Sequence, residues 1–285
     1  MTTSVNRDAS ARRRNLMLRV ASSAVLVPVV LVVAWLGGWA FLILCLLAAL
    51  GILWEWSRLA GNVEALVMAP GIVALAAALA FSGFGHAGAA AASLAIGAVA
   101  AGIGASLSGS ALVRGIWAAG GVIYAGAAFL GPALLRRDAG LGFVAFVFLA
   151  FTVWATDTCA FAVGRAIGGP LLWPQVSPNK TWSGALGGLA GGVAGGTLVA
   201  YAEGLGRLAV VGVIALVLSA LAQAGDLLES AIKRHFGAKD TSQLIPGHGG
   251  LMDRLDGFLV AAVAALMIGL LHQGTAAPAH GLLIW

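Results

Sequence analysis

The sequence predicts an all-α protein, a polytopic integral membrane bundle of about nine transmembrane helices with a cytoplasmic N-terminus. Three observations lead there. Of the 285 residues, 60% are hydrophobic and only 9% are charged, with a mean hydropathy of +0.98; a soluble domain carries roughly 25% charged residues. The apolar residues fall into runs near the ~17–25 residues that a helix needs to cross a bilayer. The cations sort by side, because alternating the spans puts 13 Lys and Arg on one face and three on the other. This composition excludes an ordinary soluble enzyme, a disordered chain and a coiled coil. The pI of about 9.9 could suggest nucleic acid, but the basic residues lie scattered between apolar runs and form no stripe, so no nucleic-acid partner is expected. Cys45 and Cys159 are far apart in apolar stretches and suggest neither a disulfide framework nor a metal site.

The expected spans are 20–36, 39–54, 65–83, 87–107, 112–134, 141–162, 183–203, 208–228 and 257–273. The first follows a basic segment, 1–19, and is read as retained, because it is longer than a usual signal h-region and further spans follow. It shares only Gly37 and Gly38 with the second as a turn, so the two are candidates for a hairpin that does not fully cross. The Arg136–Arg137 pair is the one local breach of the charge rule. Span 7 carries Gly184, Gly187, Gly188, Gly191, Gly192, Gly195 and Gly196 at three- and four-residue spacing. Such a strip lets another helix backbone approach closely, either within the chain or as a homodimer seam. Residues 20–156 hold seven charges and residues 157–256 hold fourteen. Residues 20–140 therefore read as scaffold, 141–273 as the catalytic region and 274–285 as a tail.

Three segments carry chemistry. Asp157 lies inside an apolar run near the end of span 6, where a carboxylate costs roughly 2.5–3.5 kcal/mol and is functional or paired. Ser177, Asn179, Lys180, Thr181 and Ser183 crowd the start of the Gly-rich span. They fit either a phosphate site at a helix N-terminus or a plain capped loop. Asp226, Glu229, Ser230 and Lys233 share one face of a helix leaving the membrane, and Asp253 and Asp256 share a face where span 9 begins. A turn with Pro246, Gly247, His248, Gly249 and Gly250 can bring those two helix ends together. Asp226, Asp253 and Asp256 would then converge among Lys233, Arg234, Lys239 and Arg254. Carboxylates joined by phosphate oxygens suit Mg²⁺; the plain alternative is a solvated loop with incidental ion pairs. No Walker loop, zinc spacing or nucleophile elbow is present.

At these residues the chain resembles the phosphatidate cytidylyltransferase (CDP-diacylglycerol synthase) family. The family pattern is matched by Ser230, Ile232, Lys233, Arg234, Lys239, Asp240, Ser242, Pro246, His248, Gly249, Gly250, Asp253, Arg254, Leu255 and Asp256. Glu55-Trp56-Ser57-Arg58-Leu59 is similar to the family more loosely, and Asn179 stands where the family usually has a first lysine. The resemblance implies transfer of the cytidylyl group of CTP to phosphatidate, with release of pyrophosphate, in a bacterial cytoplasmic (inner) membrane with the site facing the cytoplasm. It implies Mg²⁺, with a second, monovalent ion such as K⁺ admitted. On that basis Asp226 and Asp253 hold the metal, with Asp256 a further ligand. Lys180, Lys239 and Arg254 neutralise the triphosphate. Lys233 and Arg234 meet the lipid phosphate. Asp157, Ser177, Asn179 and Thr181 seat the nucleotide with Ser230, and His248 bonds a phosphate or shapes the turn. The competing readings are a CTP-dependent lipid kinase and a secondary transporter, although no related halves of the kind transporters show are found.

Overall fold

The structure is a computed structural model that describes Met17 and residues 22–108, 112–245 and 249–285. The basic segment 1–19 lies outside the described residues apart from Met17. The helices are α1 (Ser22–Leu36), α2 (Gly38–Leu59), α3 (Ala65–Gly83), α4 (Ala87–Leu107), α5 (Leu112–Arg136), α6 (Gly142–Ile167), α7 (Trp182–Ala202), α8 (Leu208–His235), α9 (Met252–Gln273) and α10 (Pro278–Leu283). A two-stranded hairpin, β1 (Leu171–Trp173) and β2 (Ser177–Thr181), precedes α7. Among the described residues, α2 to α9 are the eight helices long and apolar enough to cross a membrane. The described part of α1 would rise about 22 Å, short of the ~30 Å hydrocarbon core. Among the described residues, eight helices are thus of spanning length where the sequence suggested about nine; α2 is one of them, so of the first pair only the described part of α1 falls short. Gly37 and Gly38 make the turn with φ of 64° and 53°, which costs glycine little.

Two apolar cores hold the bundle. One joins α1 to α5 around Leu75, Ile52 and Phe129. The other joins α5 to α10 around Phe148, Leu149, Leu218 and Leu282. The ends of α2, α6 and α8 and the starts of α7 and α9 gather on one side, called here the site face. The opposite face holds the α1–α2 turn and α10. The Arg136 breach of the charge rule has a local cause there. Its guanidinium donates to the carbonyls of Ala34 and Trp35 at the end of α1, where helix carbonyls lack partners and negative dipole accumulates.

The glycine strip of α7 is used within the chain, the first of the two alternatives that its spacing left open. It lies against α6: Cβ atoms added at Gly188, Gly191 and Gly195 would fall 3.0, 2.5 and 2.7 Å from atoms of Ala160, Cys159 and Ala155. The threonine and serine between these helices are buried and bonded, with Thr156 Oγ1 and Ser219 Oγ 2.7 Å apart. Leucine at Gly192 would meet Thr156 Oγ1 and Ser219 Oγ, and overpacking of this kind costs about 1–3 kcal/mol. Gly192→Leu is expected to lower the melting temperature of the detergent-solubilised protein by about 3–10 °C; an unchanged transition would mean that α6 and α7 are not closely packed.

On the opposite face, α10 is tied down by Asp138. This carboxylate accepts from the backbone N–H of His280 at 3.0 Å and pairs with His280 Nδ1 at 2.8 Å. Burial by itself raises the Asp138 pKa, but the hydrogen bonds from His280 outweigh it and hold the group below its ordinary 3.8. The unfolded carboxyl therefore takes up a proton first, so the stabilisation is complete above that value and fades as pH falls through the folded pKa. Asp138→Asn is expected to lower the melting temperature at pH 7 by about 5 °C, with the gap to wild type narrowing as pH falls below about 4; a gap that does not depend on pH would refute the pairing.

Candidate active site

The site face is organised by the crossing of α8 and α9. A Cβ at Gly225 would lie 2.9 Å from the Asp256 carbonyl, and one at Gly257 would lie 2.8 Å from the Ala222 carbonyl. Each helix thus presents a bare backbone to the other. The residues beside these glycines, Asp226 and Asp256, are thereby brought to one place. They share an electrostatic neighbourhood with Asp157 of α6 and with Lys180 of β2. Lys180 Nζ forms an ion pair with Asp226; the atom itself is buried and has no hydrogen-bond partner among the described residues, while about 29% of the side chain is exposed. Asp256 Oδ1 accepts from Gly257 N at 2.6 Å. Arg254 is exposed and acts on Asp157.

Asp253 belongs to a second network, one turn away on α9. Lys233 Nζ lies 2.7 Å from Asp253 Oδ1 and 2.7 Å from Glu229 Oε2. Asp253 Oδ2 accepts from Thr241 N and Oγ1, both at 3.1 Å, and from Gly250 N at 2.9 Å. The expected trio is therefore regrouped: Asp226 and Asp256 stand with Lys180, and Asp253 stands with Lys233. Among the described residues no three His, Cys, Asp or Glu side chains form a ready metal cage. Lys233, expected at the lipid phosphate, is held between two carboxylates instead, with 14% of its side chain exposed.

The remaining expected residues separate in the same way. Thr181 caps α7, its Oγ1 accepting from Gly184 N at 3.1 Å, so the capping reading of that segment holds. Ser177 and Asn179 sit on β2, half-buried and exposed. Ser230 is half-buried on α8, and Arg234 is exposed and donates to the Ala238 carbonyl. Lys239 is exposed on the loop between α8 and α9. His248, with Pro246 and Gly247, lies outside the described residues. Ile245 and Gly249 are joined by paired backbone hydrogen bonds.

Two residues join the site that the sequence reading left out of it. Glu55 of α2 is fully buried. It accepts from Leu251 N at 2.8 Å, Met252 N at 2.7 Å, Ser242 Oγ at 2.5 Å and Thr241 Oγ1 at 3.2 Å. Thr241 Oγ1 thus stands between Glu55 and Asp253, and the supposed scaffold half holds the α8–α9 loop at Thr241, Ser242 and Leu251 and the start of α9 beside Asp253. Tyr124 of α5 leans on Trp56, and its hydroxyl is buried without a hydrogen-bond partner among the described residues. It lies in the field of Asp226, Glu229, Asp253 and Asp256. The signal for Glu55 was its place in the Glu-Trp-Ser-Arg-Leu segment; Tyr124 carried none.

Residues 17–271 match the model of the Cytidylyltransferase family. A phosphatidate cytidylyltransferase of Brucella suis biovar 1 (strain 1330) is 38% identical over 264 residues, covering 90% of this chain and 93% of its own. That of Brucella abortus biovar 1 (strain 9-941) is 39% identical over the same shares. A phosphatidate cytidylyltransferase of Staphylococcus saprophyticus subsp. saprophyticus is 41% identical over 124 residues, 43% of this chain and 47% of its own. The chain belongs to the cytidylyltransferase family, and so to the membrane-embedded nucleotidyltransferase enzymes.

Glu55→Gln keeps the shape of the clamp and removes its charge. Hydrogen bonds to a buried charged group contribute about 1.5–3 kcal/mol. Amide hydrogen exchange over residues 241–252 is therefore expected to accelerate at least about tenfold in Glu55→Gln, while α6 and α7 stay protected; unchanged protection of the loop would show that Glu55 does not hold it.

Proposed function

We propose that this enzyme transfers the cytidylyl group of CTP to phosphatidate, giving CDP-diacylglycerol and pyrophosphate, and that its site face lies on the cytoplasmic side of a bacterial inner membrane. One observation carries the reading: carboxylates and lysines from β2, α6, α8 and α9 converge where membrane-spanning helices end. A lipid phosphate is confined to that level, and a nucleotide reaches it from water. The naming of the Brucella relatives supports the same substrates, and the orientation is supported by the cations of the described residues, eight at the site-face ends of the helices against three at the opposite ends.

In this reading an oxygen of the phosphatidate phosphate forms a bond to the α-phosphorus of CTP, and the bond from that phosphorus to the α–β bridging oxygen breaks, so that pyrophosphate leaves with its electron pair. A phosphate monoester is already ionised, so no general base is needed. The chain has to hold two anions together. Lys180 exchanges its contact with Asp226 for a phosphate oxygen, and Arg254 and Lys239 add charge at the entrance. Lys233 fixes Asp253 and Glu229, and Glu55 fixes the loop, so the carboxylates do not reorganise as charge develops.

The donor set fits Mg²⁺. Asp157, Asp226 and Asp256 share one neighbourhood with Lys180 as the ammonium in contact, and Asp253 with Glu229 shares only Lys233. Carboxylates outnumber ammonium groups, which leaves negative charge for a divalent cation to balance. Mg²⁺ takes one or two carboxylates and completes its shell with water and substrate phosphate, so no all-protein cage is required. Asp226 and Asp256 would hold it, and it would supply screening of the phosphate charges and stabilisation of the transition state.

The test uses purified protein in nanodiscs with phosphatidate and CTP labelled at the α-phosphate. Labelled CDP-diacylglycerol and one pyrophosphate per turnover are expected. Release of CDP would identify a lipid kinase, and no CTP turnover would refute the reading. Asp256→Asn is expected to lower kcat at least about 100-fold with normal membrane insertion; near-wild-type turnover would remove that carboxylate from the chemistry.

A further inference from the structure

A cleft of about 840 Å³ opens between the end of α2 and the loop that follows α8. Small ligands fill clefts of roughly 300–1,000 Å³. Trp54 and Arg58 line it from α2, and Lys239, Asp240, Gln243 and Leu244 line it from the loop. Two cations therefore face one carboxylate. The Arg58 guanidinium lies over the Trp54 ring, 4.9 Å from its centroid. This cation–π contact holds the guanidinium beside the ring without using its N–H groups, which remain available to an acceptor. Neither Arg58 nor Lys239 has a carboxylate partner among the described residues.

The loop itself supplies a second, independent observation. The backbone N–H groups of Lys239, Asp240, Ser242 and Gln243 donate to no protein acceptor among the described residues. The inner side of the same segment is committed, with Thr241 and Ser242 bonded to Glu55 and Asp253. The wall is thus pre-shaped from within, and free amides remain beside two unpaired cations. The two pairs of unpartnered amides flank Thr241, whose N–H is given to Asp253, and backbone N–H groups left open in this way can donate to an anion. Trp54 and Leu244 add apolar surface at the level where α2 leaves its membrane-spanning stretch.

We propose that this cleft is a phosphate subsite in which Arg58 holds the anion bidentately and Lys239 and the loop amides complete the cradle. Its occupant is a phosphate group of one of the two substrates, either the CTP polyphosphate or the phosphatidate headgroup, and this part rests on the function proposed above. Because Thr241 of the lining loop also donates to Asp253, filling the cleft braces the active site from the α2 side.

Equilibrium binding to the full-length protein separates the cases, with labelled pyrophosphate, labelled CTP, and nanodiscs containing phosphatidate or phosphatidylcholine alone as probes. Arg58 is exposed at the end of α2, so Arg58→Gln is expected to fold normally, and Arg58→Lys serves as the charge-retaining control. Arg58→Gln is expected to weaken pyrophosphate binding about tenfold or more, with partial recovery in Arg58→Lys. A parallel loss for CTP identifies the nucleotide polyphosphate as occupant, and a loss confined to phosphatidate nanodiscs identifies the lipid headgroup. Wild-type affinity of Arg58→Gln for all three ligands, or no pyrophosphate binding by wild type, overturns the proposal. Arg58-dependent pyrophosphate binding in a protein that makes no CDP-diacylglycerol would sink the assigned reaction and leave the subsite standing.

Discussion

The close crossing of α8 and α9 is the constraint on which the site depends. Carboxylates repel one another and resist leaving water, so nothing in their own chemistry brings Asp226 to Asp256. The crossing does so through van der Waals contact of bare backbones at Gly225 and Gly257. In a bilayer such packing replaces the hydrophobic drive that joins helices in water. Lysines from neighbouring segments then supply the counter-charge. Lys180 arrives on a hairpin strand immediately before α7, and α7 is held to α6 by its own glycine strip. Helix packing and electrostatics are one arrangement here, since each close contact places a charge that would otherwise be unpaired at membrane depth.

The second feature is a division of labour among acidic groups. Glu55 and Asp253 have their oxygens filled by donors from a single loop and from Lys233. They give up hydration and receive backbone and hydroxyl hydrogen bonds in exchange, which is the condition for keeping a buried charge. Asp226, Asp256 and Asp157 have far fewer protein partners and remain able to bind something else. The loop between α8 and α9 is fixed from below by α2, so α2 acts as part of the catalytic framework although it lies in the charge-poor half of the chain.

Much of this was legible in the sequence. The spans followed from run length, and the acidic face of α8 followed from its three- and four-residue spacing. The site residues between Ser230 and Asp256 followed from a dense motif. Three things were hidden for physical reasons. Glu55 meets Leu251 and Met252 across nearly two hundred residues, and no local pattern encodes a contact of that range. Lys233 reads as a free cation on a helix face until the return of α9 places Asp253 against it. The glycine strip of α7 specifies close approach but not its partner, which only the path of α6 decides. The segment around Ser177 read as a phosphate site or a capped loop, yet it pairs as a hairpin in which the short strands β1 and β2 satisfy each other's backbone groups.

The most direct test acts on the crossing itself and leaves every charged group in place. Valine at Gly257 would drive a side chain against the Ala222 carbonyl, which is backbone and cannot rotate away. Binding of Mn²⁺, as a paramagnetic substitute for Mg²⁺, can be followed by electron paramagnetic resonance in the presence of CTP, with helicity and dispersity checked alongside. Wild-type protein is expected to bind the ion, and Gly257→Val to lose at least about tenfold in affinity while remaining helical and monodisperse. Equal affinity in the two proteins, or no binding by wild type, would contradict the claim that this crossing builds the carboxylate site.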